Sequence, residues 1–160
     1  MIKIKRIKNI NKYKNIIKEI YLDAYQNVNP EYYEHTEEDI ESYFNWLINK
    51  APDGFILAFI NKTPIGFLVI DLDWWDKKLN EVMGEIHEIC IKKKYQKFGI
   101  GTKLVKFAEK LAKQRGLKYL GGWVGISNFQ SLNFFKKLGF EEGEVGWEIW
   151  KRIRKRLAEI

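Results

Sequence analysis

The chain has 160 residues, of which 46% are hydrophobic and 15% aromatic, and its formal net charge is +7. These values exclude a disordered chain and predict one domain, residues 1–160, with a substantial hydrophobic core. No apolar stretch approaches the ~20 residues that span a bilayer, and the N-terminal residues lack the apolar centre of a signal peptide. The single cysteine, Cys90, excludes an internal disulfide and a cysteine-built zinc site. We therefore expect a soluble, cytoplasmic protein with no membrane partner and no metal.

The first half of the chain predicts strands and helices in alternating groups. MIKIKRI at 1–7 alternates between apolar and basic residues and predicts a strand. Apolar residues at helical spacing predict helices over 11–26 and 36–49, the second of them capped by Thr36. Two β-rich runs flank a short turn at 61–64 and predict a hairpin, and EVMGEIHEICI at 81–91 predicts a further strand.

The second half continues this mixture. An amphipathic helix is predicted over 99–115, with Gly116 as its stop, and a strand follows at 117–124. Ser127 begins a segment with the spacing of a capping box and opens a short helix that is closed by Gly139. A last pair of strands is predicted around 140–152. The order β-α-α-β-β-β-α-β-α-β-β indicates a mixed α/β fold without a linker or repeat.

The segment QKFGIGTKL at 96–104 is a glycine-containing, basic turn between a strand and a helix. The first amides of a helix have no intrahelical acceptor and lie at the positive end of the helix dipole. Glycine lets the backbone approach a bound phosphate closely and adopt a positive φ. Residues 96–102 therefore have the properties of a pyrophosphate-binding turn, and equally those of a tight turn without a ligand. Neither the dinucleotide-binding glycine motif nor the Walker phosphate loop is present.

Two blocks, one around this turn and one later in the chain, resemble the GNAT superfamily of N-acetyltransferases. The first block in that family is an apolar strand end, four residues, and then Gln/Arg-x-x-Gly-x-Gly/Ala at a helix start. The second is Asn-x-x-Ala/Ser-x-x-Phe-Tyr followed by Gly-Phe. The residues that carry the resemblance are Ile91, Gln96, Gly99, Gly101, Asn128, Ser131, Phe134, Phe135, Gly139 and Phe140.

The resemblance implies a central mixed, mostly antiparallel sheet flanked by helices, and acetyl-CoA as the cofactor. Backbone amides of Lys97–Thr102 would hold its pyrophosphate, and the strand end Ile89–Ile91 would pair with the pantetheine amides as an added strand does. Lys97, Lys103 and Lys136 are expected nearest the phosphates. The full set that the resemblance assigns to the cofactor is Ile89, Cys90, Ile91, Gln96, Lys97, Phe98, Gly99, Ile100, Gly101, Thr102, Asn128, Ser131, Phe134 and Phe135.

Acetyl transfer to an amine needs a base, because an amine with the pKa of lysine, ~10.4, is almost fully protonated at pH 7. Glu88 and Glu85, in the strand before the turn, are the first candidates; each could equally be an ordinary strand carboxylate that faces solvent. His87 is a weaker candidate. The family usually has a tyrosine, as the acid for the leaving thiolate, at the position of Phe135, which has no proton to donate. The departure predicts a slower enzyme, another donor such as a tyrosine of the first two helices, or water.

The sequence gives little information about the amine that would accept the acetyl group. Acids and aromatic residues in the first two helices and in DLDWWD at 71–76 suit a cationic amine, of a small molecule or of a protein, or else form an ordinary surface. Two rivals remain: a catalytically weak CoA-binding module, and a nucleic-acid-binding domain suggested by the charge and by WKRIRKRL at 150–157. We expect the basic side chains of that segment on the solvated side of a last strand, which argues against a nucleic-acid partner. The protein is expected to be a monomer or a homodimer.

Overall fold

The computed structural model describes residues 1–158, which form the predicted order of strands and helices. Short 3-10 turns at Ile10–Tyr13, Pro30–Tyr32 and Lys93–Tyr95 lie between some of these elements. The strands and helices within the described residues are β1 (Ile2–Ile7), α1 (Lys14–Ala24), α2 (Glu37–Lys50), β2 (Phe55–Ile60), β3 (Thr63–Asp76), β4 (Glu81–Ile91), α3 (Ile100–Gln114), β5 (Tyr119–Gly125), α4 (Phe129–Lys137), β6 (Glu141–Gly146) and β7 (Trp150–Arg156).

The strands hydrogen-bond in the order β1-β2-β3-β4-β5-β7-β6. β4 and β5 pair in parallel, whereas β1–β2, β2–β3, β5–β7 and β6–β7 are antiparallel, which confirms the predicted mixed, mostly antiparallel sheet. Residue contacts divide the chain into two compact units: a first unit of Met1–Ile70 with Glu88–Ala108, and a second unit of Asp71–His87 with the chain from Glu109 onward. Strands β3 and β4 contribute to both, and each unit is described by itself. The single domain expected from the sequence stays a prediction.

The core of the first unit lies where the apolar faces of α1 and α2 meet residues of β2 and β3. Ile17 and Ile20 of α1 and Phe44 of α2 are fully buried in one cluster with residues of both strands. Their spacing of three or four residues is the helical periodicity from which the two helices were predicted. Thr36 caps α2 as predicted, because its hydroxyl accepts a hydrogen bond from the amide of Asp39 at 3.0 Å.

The second unit contains β5, β6, β7 and the short helix α4. Register pairs Tyr119 of β5 with Arg156 of β7 and Gly125 with Trp150, so the two strands match over their whole length. Helix α4 is capped by Asn128 and not by Ser127, because the Asn128 side chain accepts from the amide of Ser131. The predicted cap was therefore one residue early.

Two other boundaries differ from the prediction. The hairpin turn consists of only Asn61 and Lys62, because Ile60 already pairs with Thr63, and Pro64 lies in β3. Asn61 has a φ of 55°, a conformation that asparagine tolerates better than most residues. The last strand continues to Arg156, four residues beyond the predicted end at 152, since its register with β5 extends that far.

Candidate active site

The carboxylate of Glu88 on β4 is held by two phenol hydroxyls in the first unit. Tyr25 donates a hydrogen bond to Oε1 and Tyr43 donates one to Oε2, each at 2.5 Å. The thiol of Cys90 also donates a hydrogen bond to Oε1, with a distance of 3.6 Å from Sγ to the oxygen. Glu88 is buried, with 9% of its surface exposed, so the hydroxyls replace much of the hydration that the carboxylate lacks.

The tyrosines come from both helices of the first unit. Tyr25 is the residue that ends α1, and Tyr43 lies in the middle of α2. The ring of Tyr21 lies 4.9 Å from that of Tyr25 and 5.7 Å from that of Tyr43, and Tyr33 stacks on Tyr25 at 5.1 Å. These packed rings surround the carboxylate with aromatic carbon and leave it little access to bulk water.

Burial determines how these groups titrate. Burial raises the pKa of Glu88 above its ordinary value, although the hydrogen bonds from Tyr25 and Tyr43 oppose the rise. Burial and the charge of Glu88 raise the pKa of both phenols well above theirs. The phenols therefore stay protonated as donors, and Glu88 is the member of this group that can take up a proton.

The turn that was singled out in the sequence also lies in the first unit. The side chain of Gln96 donates to the carbonyl oxygen of Ile91 at 2.8 Å, which ties the turn to the end of β4. Lys97 and Gly99 have φ values of 70° and 80°, and no heavy atom lies within 4 Å of the place where a Cβ of Gly99 would stand. An open, left-handed backbone in front of the first amides of α3 fits a diphosphate group. Acetyl-CoA carries such a group.

Glu85 has a different environment in the second unit. Its Oε2 accepts from Nη1 of Arg152 at 2.7 Å, and both side chains are almost fully buried. Nη2 of the same arginine donates to Asp76 at 2.9 Å, and its guanidinium lies 5.1 Å from the ring centroid of Trp123. Burial raises the pKa of Glu85, while the hydrogen bond and charge of Arg152 lower it. Oε1 of Glu85 has no hydrogen-bond partner among the described residues.

The basic segment of β7 is not the solvated strand face that we expected. Arg152 is 1% exposed, and Arg154 binds Asp76 and Glu144 through two hydrogen bonds to each. Lys155 pairs with the buried Glu109. The expectation was wrong because four carboxylates, on β3, β4, α3 and β6, meet this strand. Charges neutralised inside the second unit give little support to a nucleic-acid surface.

Two acids of the DLDWWD segment, Asp71 and Asp76, also bind groups within the second unit. Asp71 accepts a hydrogen bond from the amide of Asp73 and contacts Nε2 of His87 at 3.0 Å. The His87 ring meets Trp74 edge-on. Although burial by itself raises the pKa of Asp76, hydrogen bonds from Arg154 and Arg152 hold it well below its usual range. These acids therefore give little support to a cation-binding role for this segment.

The second sequence block lies in α4 and its cap, within the second unit. Phe135 is 5% exposed, and its ring packs edge-on against those of Phe134 and Phe140 at 5.0 and 5.1 Å. The side chain of Asn128 is engaged as the helix cap, through the amide of Ser131. The assignment of these residues to the cofactor stays a prediction.

Comparisons with known proteins identify the family of the chain. A family model described as the acetyltransferase (GNAT) family matches residues 15–140. A curated protein of Methanocaldococcus jannaschii, an uncharacterized N-acetyltransferase, is 35% identical over 87% of the chain, which spans only 61% of that relative. An uncharacterized N-acetyltransferase of Archaeoglobus fulgidus is 30% identical over 79% of the chain and 86% of its own length.

Solved structures show the same fold. The crystal structure of PH1933 from Pyrococcus horikoshii superposes with a TM-score of 0.86 at 32% identity and covers 99% of each chain. The PaiA N-acetyltransferase of Thermoplasma acidophilum, crystallised in complex with coenzyme A, has a TM-score of 0.71 at 20% identity and covers 98% of this chain and 99% of its own. At that identity the second likeness shows the fold alone. Among the residues that the structure describes, no helix is long and apolar enough to cross a membrane.

Proposed function

The chain belongs to the GNAT family of acetyltransferases, and from this we propose that it is an acetyl-CoA-dependent N-acetyltransferase. The acceptor would be a primary amine of a small molecule or of a protein, which attacks the acetyl group directly. The names of the curated relatives support acyl transfer to nitrogen, and the CoA complex of the PaiA protein supports the cofactor. The cytoplasmic location stays an expectation from the sequence.

The observation that carries this proposal is the buried Glu88 carboxylate with its two tyrosine donors. An amine can attack only after it loses a proton, and Glu88, whose pKa burial raises, is suited to take that proton. Glu85 is a weaker candidate, because Arg152 binds it as a permanent ion pair. We therefore propose Glu88 as the base and Glu85 as a structural residue.

The turn of Gln96–Thr102 is proposed to hold the cofactor's pyrophosphate. Acetyl-CoA, when bound, supplies the acetyl group as an activated thioester. The open backbone at Gly99 and the first amides of α3 would bind and orient the anionic part, and Lys97 and Lys103, both exposed at the turn, would add positive charge. Ile89–Ile91 is proposed to pair with the amides of the cofactor's arm.

Phe135 favours the second candidate function, a CoA-binding module with little catalysis. No proton can come from a phenylalanine, and Tyr25 and Tyr43, which lie on the first two helices, already donate their protons to Glu88. A thiol with the pKa of cysteine, ~8.5, is nevertheless a tolerable leaving group without an acid. A slow enzyme is therefore better supported than a CoA-binding module without catalysis.

The cofactor site can be tested with two aspartate substitutions. Gly99→Asp places a carboxylate where phosphate would bind and weakens CoA binding by about tenfold or more through like-charge repulsion. Gly116→Asp is the matched control: Gly116 follows the last turn of α3, also has a positive φ, of 74°, and also has open space at its Cβ. Calorimetric titration with CoA measures both. Equal affinities would overturn the assignment of the turn.

Turnover of acetyl-CoA with a panel of small amines and peptides tests the activity itself. Acetyl transfer by the wild-type protein to any of these acceptors, abolished by heat denaturation, supports the enzyme. CoA binding at Gly99 without turnover across the panel favours the binding module. Neither CoA binding nor turnover would overturn both candidate functions.

A further inference from the structure

The two oxygens of Glu88 are occupied separately. Tyr25, at the end of α1, binds one oxygen, and Tyr43, within α2, binds the other, both at 2.5 Å. Two donors on two oxygens fix the plane of the carboxylate as well as its position. A short bond from a hydroxyl to an ionised oxygen is also among the stronger kinds of hydrogen bond in proteins.

The groups that act on this carboxylate supply no cation. They are the side chains of Tyr25 and Tyr43, the thiol of Cys90, the backbone amide of Ile89 and, through its charge interaction, Tyr21. None of these four side chains can become positively charged. A buried carboxylate without compensation takes up a proton and loses its capacity as a base. The hydrogen bonds from Tyr25 and Tyr43 are the largest of the contributions that oppose burial.

We infer that Tyr25 and Tyr43 are positioning residues that hold Glu88 as an oriented carboxylate, ready to take the proton of the acceptor amine. The inference rests on the proposed function, in which Glu88 is the base. In this arrangement Glu88 takes one proton from the acceptor nitrogen and later releases it to water. The tyrosines keep their own protons throughout, because burial beside Glu88 makes their ionisation unfavourable.

Titration of Glu88 measured by NMR tests the inference without any substrate. Protein labelled with ¹³C at the glutamate side-chain carboxyls is titrated, and Glu88→Gln assigns the signal. Tyr25→Phe and Tyr43→Phe each remove one donor, so the Glu88 pKa should rise by about one unit or more in each and further in the double variant. Tyr33→Phe is the matched control, because its ring stacks on Tyr25 within the same cluster and no hydrogen bond joins it to Glu88. It should leave the titration unchanged.

The pH profile of kcat/KM gives the second readout. Protonated Glu88 is inactive as a base, so the acid limb of the profile should move to higher pH by the same amount as the NMR titration. At alkaline pH, where Glu88 is ionised in every variant, the rates should return to within a few-fold of the wild-type rate. A purely structural role would lower activity at all pH values instead.

The outcomes separate the inference from the proposed function. An unchanged Glu88 titration in both phenylalanine variants overturns the inference, whatever the activity is. A shifted titration with an unmoved acid limb shows that Glu88 is not the base, and overturns the inference through that premise. A loss of CoA binding in Gly99→Asp together with shifts in both readouts supports both proposals. If Tyr43→Phe does not fold, Tyr25→Phe, just beyond the last residue of α1, decides the same question.

Discussion

Glu85 in the second unit and Glu88 in the first lie three residues apart on β4, and both are buried, but different groups offset their burial. Glu85 faces a guanidinium, which is charged at every accessible pH. Glu88 faces two phenols, which only donate hydrogen bonds. A carboxylate paired with a fixed cation is tied up in a structural ion pair, whereas one held by neutral donors can take up a proton without leaving a buried cation unpaired.

The two carboxylates also differ in what happens when their hydrogen-bond partners are removed. Arg152 joins Glu85 to Asp76 and lies against Trp123, so its loss leaves Glu85 buried without a cation and leaves Asp76 with Arg154 alone. Loss of a tyrosine hydroxyl at Glu88 leaves a carboxylate that can simply take up a proton. Variants of these residues should therefore separate activity from stability.

The largest expected effect is on activity. Glu88→Gln keeps the shape and can still bond both tyrosines, but it cannot accept a proton, so kcat/KM should fall by ~100-fold or more at neutral pH. Glu85→Gln should change it by less than about fivefold, because Arg152 keeps its bond to Asp76. Steady-state kinetics with saturating acetyl-CoA measure both. Equal losses of kcat/KM in the two variants would contradict the proposed functional difference between the two glutamates.

The next effect is on stability. Arg152→Met should lower the free energy of unfolding by about 3–5 kcal/mol, because it leaves Glu85 buried without a cation and removes one of the two arginines that bind Asp76. Glu88→Gln should change it by less than about 1 kcal/mol. Urea unfolding followed by circular dichroism measures the difference. The double variant Arg152→Met/Glu85→Gln should recover part of the loss and also serves if the single variant does not fold. A recovery of zero would contradict a direct pairing.

The smallest effect is in the pH dependence of stability. The hydrogen bond from Arg154 lowers the pKa of Glu144 to about 2, so this contact stabilises the protein above the unfolded pKa of ~4.5 and is lost as pH falls through about 2. Glu144→Gln should therefore destabilise at pH 7 and not near pH 2. Because the Glu144 side chain is 36% exposed, the difference should stay below about 1 kcal/mol.

Glu88 should behave in the opposite sense. Its folded pKa is raised, so its contribution to stability is present at low pH and is lost as pH rises through the folded value. Relative to wild type, Glu88→Gln should gain stability as pH rises from about 4.5, whereas Glu144→Gln should lose it as pH rises from about 2 to about 4.5. Unfolding curves at several pH values check this, and parallel trends in the two variants would contradict it.

The local structure could be predicted from the sequence because it depends on neighbours. Apolar spacing predicted α1 and α2, and glycines at 116 and 139, both with positive φ, marked the ends of α3 and α4. The cap of α4 was misplaced by one residue, since Ser127 and Asn128 are both good caps and only the backbone conformation selects between them.

The partners of the two glutamates could not be predicted in the same way. Tyr25 and Tyr43 lie 63 and 45 residues from Glu88, and Arg152 lies 67 residues from Glu85. Alternation within β7 predicted solvated arginines, because a pattern within one strand carries no information about carboxylates on other strands. The sequence suggests a tyrosine of the first two helices as an alternative acid, but it carries no signal for a tyrosine that donates a hydrogen bond to the proposed base.

Cys90 contacts Glu88 in the buried cluster of the first unit and is the chain's single cysteine. Burial raises the pKa of its thiol well above the ordinary value, so the reactive thiolate hardly forms in the folded protein. A thiol-reactive dye should therefore react with the thiol of released CoA and not with Cys90. A colorimetric assay of CoA release should then have little background from the protein. Without substrate, the slow rate at which the dye labels Cys90 should report how often the first unit opens locally and exposes the thiol. Cys90 is therefore a natural probe of local unfolding around the proposed base.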